Sequence, residues 1–168
     1  MQGKYILDVA CRDGFVTRRF LQDDCEIMGF DICHDAIDKA KEIARGKYPK
    51  NKHHYYDLSI QHFPWEVNKG LFDMVICFEF IEHIPGEDVV WLLGKISESL
   101  NEGGYAAIST PHIDGKYGEN GDDETHINLY DEERLELQIL VTTGHQATVT
   151  RDGEFIYAYW KNVKNEEK

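Results

Sequence analysis

The sequence predicts an α/β fold: an open sheet of mostly parallel strands with helices on both faces, ending in an antiparallel strand. Three observations predict it. The apolar run Tyr5 to Val9 leads into a tight turn at Gly14 and then the helix-compatible stretch Phe15 to Leu21, the opening unit of nucleotide-binding sheets. Strand-like and helix-like stretches then alternate as far as Thr110, as in parallel βαβ units. Near the end, Arg151-Asp152-Gly153-Glu154 separates two strand-like runs, a hairpin signal.

The first turn is built for close approach. A ligand at the carboxyl end of the first strand lies against the turn and the next helix, so small side chains are favoured there. Asp8 can accept hydrogen bonds from a polar, positively charged ligand. The second strand, Cys25 to Ile32, carries Asp31 near its end, about twenty residues after the glycine turn. A carboxylate there can bind the two hydroxyls of a ribose.

From His34 to Arg45, Ile37, Ala40, Ile43 and Ala44 make one apolar helical face, with Asp35 as cap and Gly46 as stop. A short third strand runs from His53 to Leu58 and brings Asp57 to the same edge. His53 and His54 are neighbours on a strand and point to opposite faces, so they do not share an ion. Ile60 to Gly70 reads as an irregular connection. Leu71 to Glu79 carries the continuous apolar run Met74 to Phe78, as expected of a central strand covered on both faces.

A helix over Glu87 to Leu100 follows, with Val90, Leu93, Ile96 and Leu100 facing inward and Asn101-Glu102-Gly103-Gly104 as its stop. Tyr105 to Thr110 is the fifth strand. The polar stretch Pro111 to Tyr130 is long for a neutral connector and suits a substrate loop or lid. A helix from Asp131 to Thr143, with Leu135, Ile139 and Leu140 on one side, and strands over Gln146 to Thr150 and Phe155 to Trp160 complete a single domain over residues 1–161. Residues 162–168 form a charged tail.

Composition bounds the function. The chain has 168 residues and 42% hydrophobic content, enough for one core, and no run is long enough to span a membrane. The first strand begins within a few residues of Met1, and the expected location is cytoplasmic. A net charge of −13 argues against extended nucleic-acid contact. Cys11, Cys25, Cys33 and Cys77 show no paired spacing and read as buried free thiols. No metal is expected, since His112, Asp114 and His126 follow no recognised ligand spacing.

Several blocks in sequence order resemble a known family. They are Ile6-Leu7-Asp8-Val9-Ala10-Cys11-Arg12-Asp13-Gly14, Gly29-Phe30-Asp31, Phe72 to Pro85 with Glu79-Phe80-Ile81-Glu82-His83, Leu100 to Pro111 and Tyr130 to Leu135. Together they are similar to class I methyltransferases that use S-adenosylmethionine, of the small-molecule type. The resemblance implies a Rossmann-like, doubly wound, seven-stranded sheet with an antiparallel terminal strand. It also implies transfer of a methyl group to a small acceptor such as a sugar, a quinone-like ring or another metabolite, with S-adenosylhomocysteine as product.

Carried over by position, Asp8 and Gly14 would line the cofactor's amino-acid end, and Ala10, Arg12 and Ile32 are further cofactor-binding positions. Asp31 would hold the ribose hydroxyls, Asp57 and Leu58 would flank the adenine, and Cys77 and Glu79 would close the pocket near the sulfonium. Family members usually have glycine at the positions of Ala10 and Arg12. Arg12 would point to solvent or pair with the cofactor's carboxylate. Family members also carry helices before the first strand, so an open site, completed by the 111–130 loop, a second copy or a partner subunit, is expected. A displacement needs aligned reactants above all, and a base helps a hydroxyl acceptor. His112 and His126 are the candidates for that base, with His83 third. The alternatives are a non-catalytic module binding S-adenosylmethionine or its product, with a degenerate glycine motif, and a nicotinamide-dependent oxidoreductase.

Overall fold

Strand β1, Tyr5–Val9, is buried along nearly its whole length because both of its faces are covered. The computed structural model describes residues 3–19, 25–47, 52–116 and 124–163. Beside β1 lie β2, Glu26–Asp31, on one side and β4, Phe72–Phe78, on the other, both parallel to it. The remaining elements are α1 (His34–Lys47), β3 (His53–Asp57), α2 (Gly86–Ser99), β5 (Leu100–Pro111), α3 (Glu132–Thr143), β6 (Thr148–Asp152) and β7 (Phe155–Lys161). They form one seven-stranded sheet of order β3-β2-β1-β4-β5-β7-β6. Strand β7 runs antiparallel to both neighbours, as the hairpin signal predicts.

Alternation along the strands sorts side chains between two cores. Ile6 and Ile27 meet Ile37, Ala40 and Ala44 of α1 on one face. Leu7, Val9 and Val75 meet Val89, Leu92 and Ile96 of α2, with Leu135 and Ile139 of α3, on the other. Strand order reverses between β1 and β4, and the crevice outside the carboxyl ends at such a point is where open α/β sheets bind ligands.

Tyr55 braces the first turn from beneath. Its ring crosses β2 at Gly29, where a Cβ would fall 2.8 Å from the ring. Its hydroxyl donates to Thr17 Oγ1 at 3.4 Å and sits under Gly14, whose φ of +70° only glycine adopts without strain.

Several sequence expectations shift. Residues 12–16 are turns and 17–19 a short 3₁₀ segment, in place of the start of a helix; Phe20 and Leu21 lie outside the described residues. Helix α1 passes through Gly46, which lies exposed in its last turn, and Asp35 sits in the first turn and does not cap. In α2 the buried stripe is Val89, Leu92, Leu93 and Ile96, leaving Val90 exposed; Leu140 of α3 is exposed as well. Strand β5 begins at Leu100 because the backbone is already extended there and pairs with Phe72 across a register shift. Asp131 caps α3 by accepting from Arg134 N at 2.7 Å, and Gly144 ends it in the left-handed region.

Cys33 is exposed where a buried thiol was expected, because it sits in the turn between β2 and α1 and not within a strand. Asn162, assigned to the tail, is tied to Gly104, Leu100 and Asn101 by hydrogen bonds. Residues 164–168, and 117–123 of the long polar stretch, lie outside the described residues. No helix among the described residues is long and apolar enough to cross a membrane.

Candidate active site

Two adjoining hollows open at the crevice and share Ala10. The larger, about 560 Å³, is lined by Asp8, Arg12, Asp13, Phe15, Phe78 and Glu79 among others. The smaller, about 250 Å³, is mostly apolar and is lined by Phe30, Asp31, Ile32, Leu58, Phe80 and Ile84 among others.

The loop between them is held by its own backbone. Cys11 N donates to Phe30 O at 3.0 Å and Gly14 N to Cys11 O at 2.8 Å. Asp31, largely buried at the end of β2, accepts from Arg12 N at 2.9 Å through Oδ2 and from Cys33 N at 2.8 Å through Oδ1. A carboxylate has about four lone-pair sites, so each oxygen keeps capacity for a further donor in the hollow it lines.

Asp8 is 4% exposed, and its Oδ2 has no hydrogen-bond partner among the described residues. Burial raises its pKa to about 7 against the opposing hydrogen bond of Thr17, and the nearby Asp31 charge adds to the rise. A buried carboxylate oxygen without a donor is costly. A ligand ammonium would supply both the donor and the countercharge.

Glu79 opens onto the larger hollow. The surrounding walls desolvate its carboxyl and raise its pKa to about 7, although Ser109 Oγ donates to Oε1 at 2.5 Å and opposes that rise.

Among the described residues, three that are not glycine, Ala10, Arg12 and Glu79, have positive φ (55°, 47° and 52°), and all three line the larger hollow. Strained backbone concentrated in one cleft is characteristic of binding sites. The turn thus keeps, at Ala10 and Arg12, the conformation glycine would adopt. The exposed guanidinium of Arg12 makes no ion pair among the described residues. Arg12→Gly relieves this strain, and the expected result is a gain of about 1 kcal/mol, or roughly 2–4 °C in Tm, read by thermal unfolding. An unchanged or lower Tm contradicts the strain argument.

Other predicted residues fall elsewhere. Cys77 is fully buried in the α2-side core and lines neither hollow, because its side chain points inward from a strand covered on both faces. Asp57 turns its carboxylate to His34 Nδ1 at 2.9 Å, while its neighbour Leu58 lines the apolar hollow. His112 is 3% exposed; its Nε2 lies 3.0 Å from Glu132 Oε2 and its Nδ1 accepts from Asp114 N at 3.0 Å. Both ring nitrogens are engaged, Nε2 toward α3 and Nδ1 within the turn that follows β5, so His112 gives way as a base to a structural role.

His126 instead sits against His83, with ring centroids 4.8 Å apart. Both act on Glu79 electrostatically. The apolar lobe formed by Phe30, Ile60, Phe80 and Ile84 was not singled out in the sequence, since each residue reads as ordinary core filling.

A family model described as "Methyltransferase domain" matches residues 1–140. A ubiquinone biosynthesis O-methyltransferase of Bordetella avium is 28% identical over 112 residues, covering 66% of this chain and 44% of that protein. The chain thus spans less than half the length of the curated relatives it matches. A SAM-dependent methyltransferase from Aquifex aeolicus aligns with a TM-score of 0.75 at 17% identity, covering 96% of this chain and 84% of the other. The complex between the Haloferax volcanii Trm112 methyltransferase activator and a methyltransferase contains a chain that aligns with a TM-score of 0.76 at 11% identity, covering 97% and 84%. At these identities the two structures show a shared fold.

Proposed function

Because the chain belongs to the methyltransferase-domain family, we propose that it transfers a methyl group from S-adenosylmethionine to a hydroxyl on a small molecule, with an aromatic or quinol-like ring as the favoured acceptor. The observation that carries this reading is the pairing of Asp8 and Asp31 at one crevice. A buried carboxylate oxygen without a partner suits an ammonium, and an anchored carboxylate with spare lone pairs suits a diol. The apolar hollow beside Asp31 suits a flat base, with Ile32 and Leu58 on its walls. The ring acceptor is favoured by the name of the Bordetella relative.

When bound, the cofactor supplies a methyl group activated by a sulfonium. This chain's residues do the rest. Asp8 and Asp31 would hold the two polar ends and fix the approach direction, which is where most of the rate gain of an in-line displacement comes from. Glu79, with its pKa near 7 at the cleft, would accept the acceptor's hydroxyl proton. Phe15, Phe78 and Phe80 give the cleft apolar walls that limit water. The exposure of the crevice favours completion by a second copy or a partner subunit, and a cytoplasmic setting fits such an enzyme. The rival reading, a non-catalytic binding module, loses its main support where Arg12 keeps a glycine-like backbone and leaves its side chain exposed.

The test is transfer of radiolabelled methyl from S-adenosylmethionine to a panel of phenols and catechols across pH 6–9. The base must be unprotonated, so the rate is expected to rise as pH increases through about 7, where Glu79 loses its proton. Glu79→Gln is expected to lower the maximal rate about 100-fold and flatten this rise. Absence of transfer to every member of the panel contradicts the hydroxyl-acceptor reading.

A further inference from the structure

Glu82, His83 and His126 bring one carboxylate oxygen and two imidazole nitrogens within 4.8 Å of one another. Two separate segments supply them, the short 3₁₀ turn Ile81–His83 after β4 and the return of the long polar stretch. Backbone bonds clamp these segments together, since Ile127 N and Asn128 N donate to Glu82 O at 2.8 and 3.1 Å.

The Glu82 and His83 side chains are already oriented. Glu82 is 1% exposed, and Thr110 Oγ1 donates to its Oε2 at 2.9 Å, which turns Oε1 toward His83 Nε2 at 3.7 Å. That distance is too long for a hydrogen bond, whereas two donors bound about 2.1 Å from a common ion lie roughly 3–4 Å apart. His83 Nδ1 lies 3.2 Å from both the carbonyl oxygen and the hydroxyl of Thr125. A proton on Nδ1 donated to that carbonyl leaves Nε2 as the nitrogen with the lone pair, the outer-shell arrangement usual for metal-ligating histidines.

We infer that Glu82, His83 and His126 form a binding site for a divalent first-row transition ion at the edge of the cofactor cleft. Two imidazoles and one carboxylate favour zinc, iron, cobalt or manganese over magnesium and calcium, which prefer oxygen donors. Three protein ligands leave coordination positions open, as in catalytic and not structural sites. Glu79, which feels the charges of His83, His126 and Glu82, lines the cleft next to them.

The role assigned to the ion rests on the hydroxyl-acceptor reading above. An acceptor hydroxyl bound at an open position has its O–H bond weakened; the proton passes to the Glu79 carboxylate, and the electron pair stays on the acceptor oxygen. That oxygen is then the nucleophile. The long polar stretch, through His126, acquires a function that a simple connector lacks.

The test is calorimetric titration of the chelator-treated protein with Co²⁺ alone, joined with visible absorption of the bound ion. One ion per chain is expected for the wild type. His126→Gln and His83→Gln are each expected to weaken binding about 100-fold, whereas His54→Gln on the edge strand leaves it unchanged. Circular dichroism and the thermal transition establish that the variants fold. No saturable binding at millimolar Co²⁺, or equal affinity in the two variants and the wild type, overturns the site. No cofactor takes part in the titration, so such a failure leaves the methyltransferase reading standing on Asp8 and Asp31.

Discussion

Asp31→Ala is expected to weaken binding of S-adenosylhomocysteine by about 100-fold or more, since two hydrogen bonds from ribose hydroxyls to one carboxylate contribute about 1.5–3 kcal/mol each. The same carboxylate accepts Arg12 N and Cys33 N, so the variant should also lose about 1–2 kcal/mol of stability in the absence of ligand. Asp31→Asn separates the two effects. Its remaining side-chain oxygen still accepts one backbone N–H, so stability recovers in part, whereas paired acceptance from a diol does not. Titration calorimetry and thermal unfolding of both variants make the measurement. A full loss of stability with unchanged affinity would leave Asp31 as a loop anchor with no role toward the ligand.

Asp8→Asn should have opposite effects on stability and on binding. The folded-state pKa of Asp8 is raised to about 7 from 3.8, mainly by burial. For an acid raised in this direction, its contribution to stability is fully present below the unfolded pKa and is lost as pH climbs through the folded one. Three units correspond to a ceiling of about 4 kcal/mol. The neutral amide escapes this penalty but still needs a partner in the same space, so a gain of about 2 kcal/mol at pH 8, vanishing near pH 4, is expected in the ligand-free protein.

Binding goes the other way. An ammonium facing a neutral amide loses its countercharge, and affinity for S-adenosylhomocysteine should fall about 100-fold at pH 8. Wild-type affinity should rise between pH 6 and 8 as Asp8 ionises, and the variant should show no such rise. Denaturant unfolding at several pH values, with titrations at the same values, reads both. A variant that is less stable at pH 8 and binds as tightly as the wild type would remove Asp8 from the site.

Much of this was legible in the sequence because it rests on local pattern. The apolar run Met74 to Phe78 of β4, the Asp-Gly hairpin and the placement of Asp31 after the glycine turn each follow from neighbours in the chain. What was not legible depends on contacts distant in sequence. The burial of Glu82 comes from β5 through Thr110 and from residues 127–128, and its approach to His126 needs the whole sheet in place. His112 carries the residue type of a base, yet Glu132 and Asp114 occupy its nitrogens. Cys77 belongs to a strand whose ends reach the cleft, but strand alternation aims it at the core. The left-handed backbone at Ala10 and Arg12 is invisible in residues other than glycine.

The apparent departure at Arg12 is therefore a change of side chain and not of chain path. Its cost is strain confined to the turn, and Tyr55, Thr17 and Gly14 hold that turn from the opposite side. Rigid support beneath a strained loop keeps its backbone fixed before the ligand arrives, which reduces the ordering cost of binding.

The most direct test of the central claim is calorimetric titration of the wild-type protein with S-adenosylhomocysteine at pH 8, with NAD as the control ligand. The account predicts saturable one-to-one binding of the adenosyl ligand, loss of that binding in Asp31→Ala, and no heat of binding from NAD. Binding of NAD in preference to S-adenosylhomocysteine, or no binding of the adenosyl ligand to a folded wild type, would contradict it.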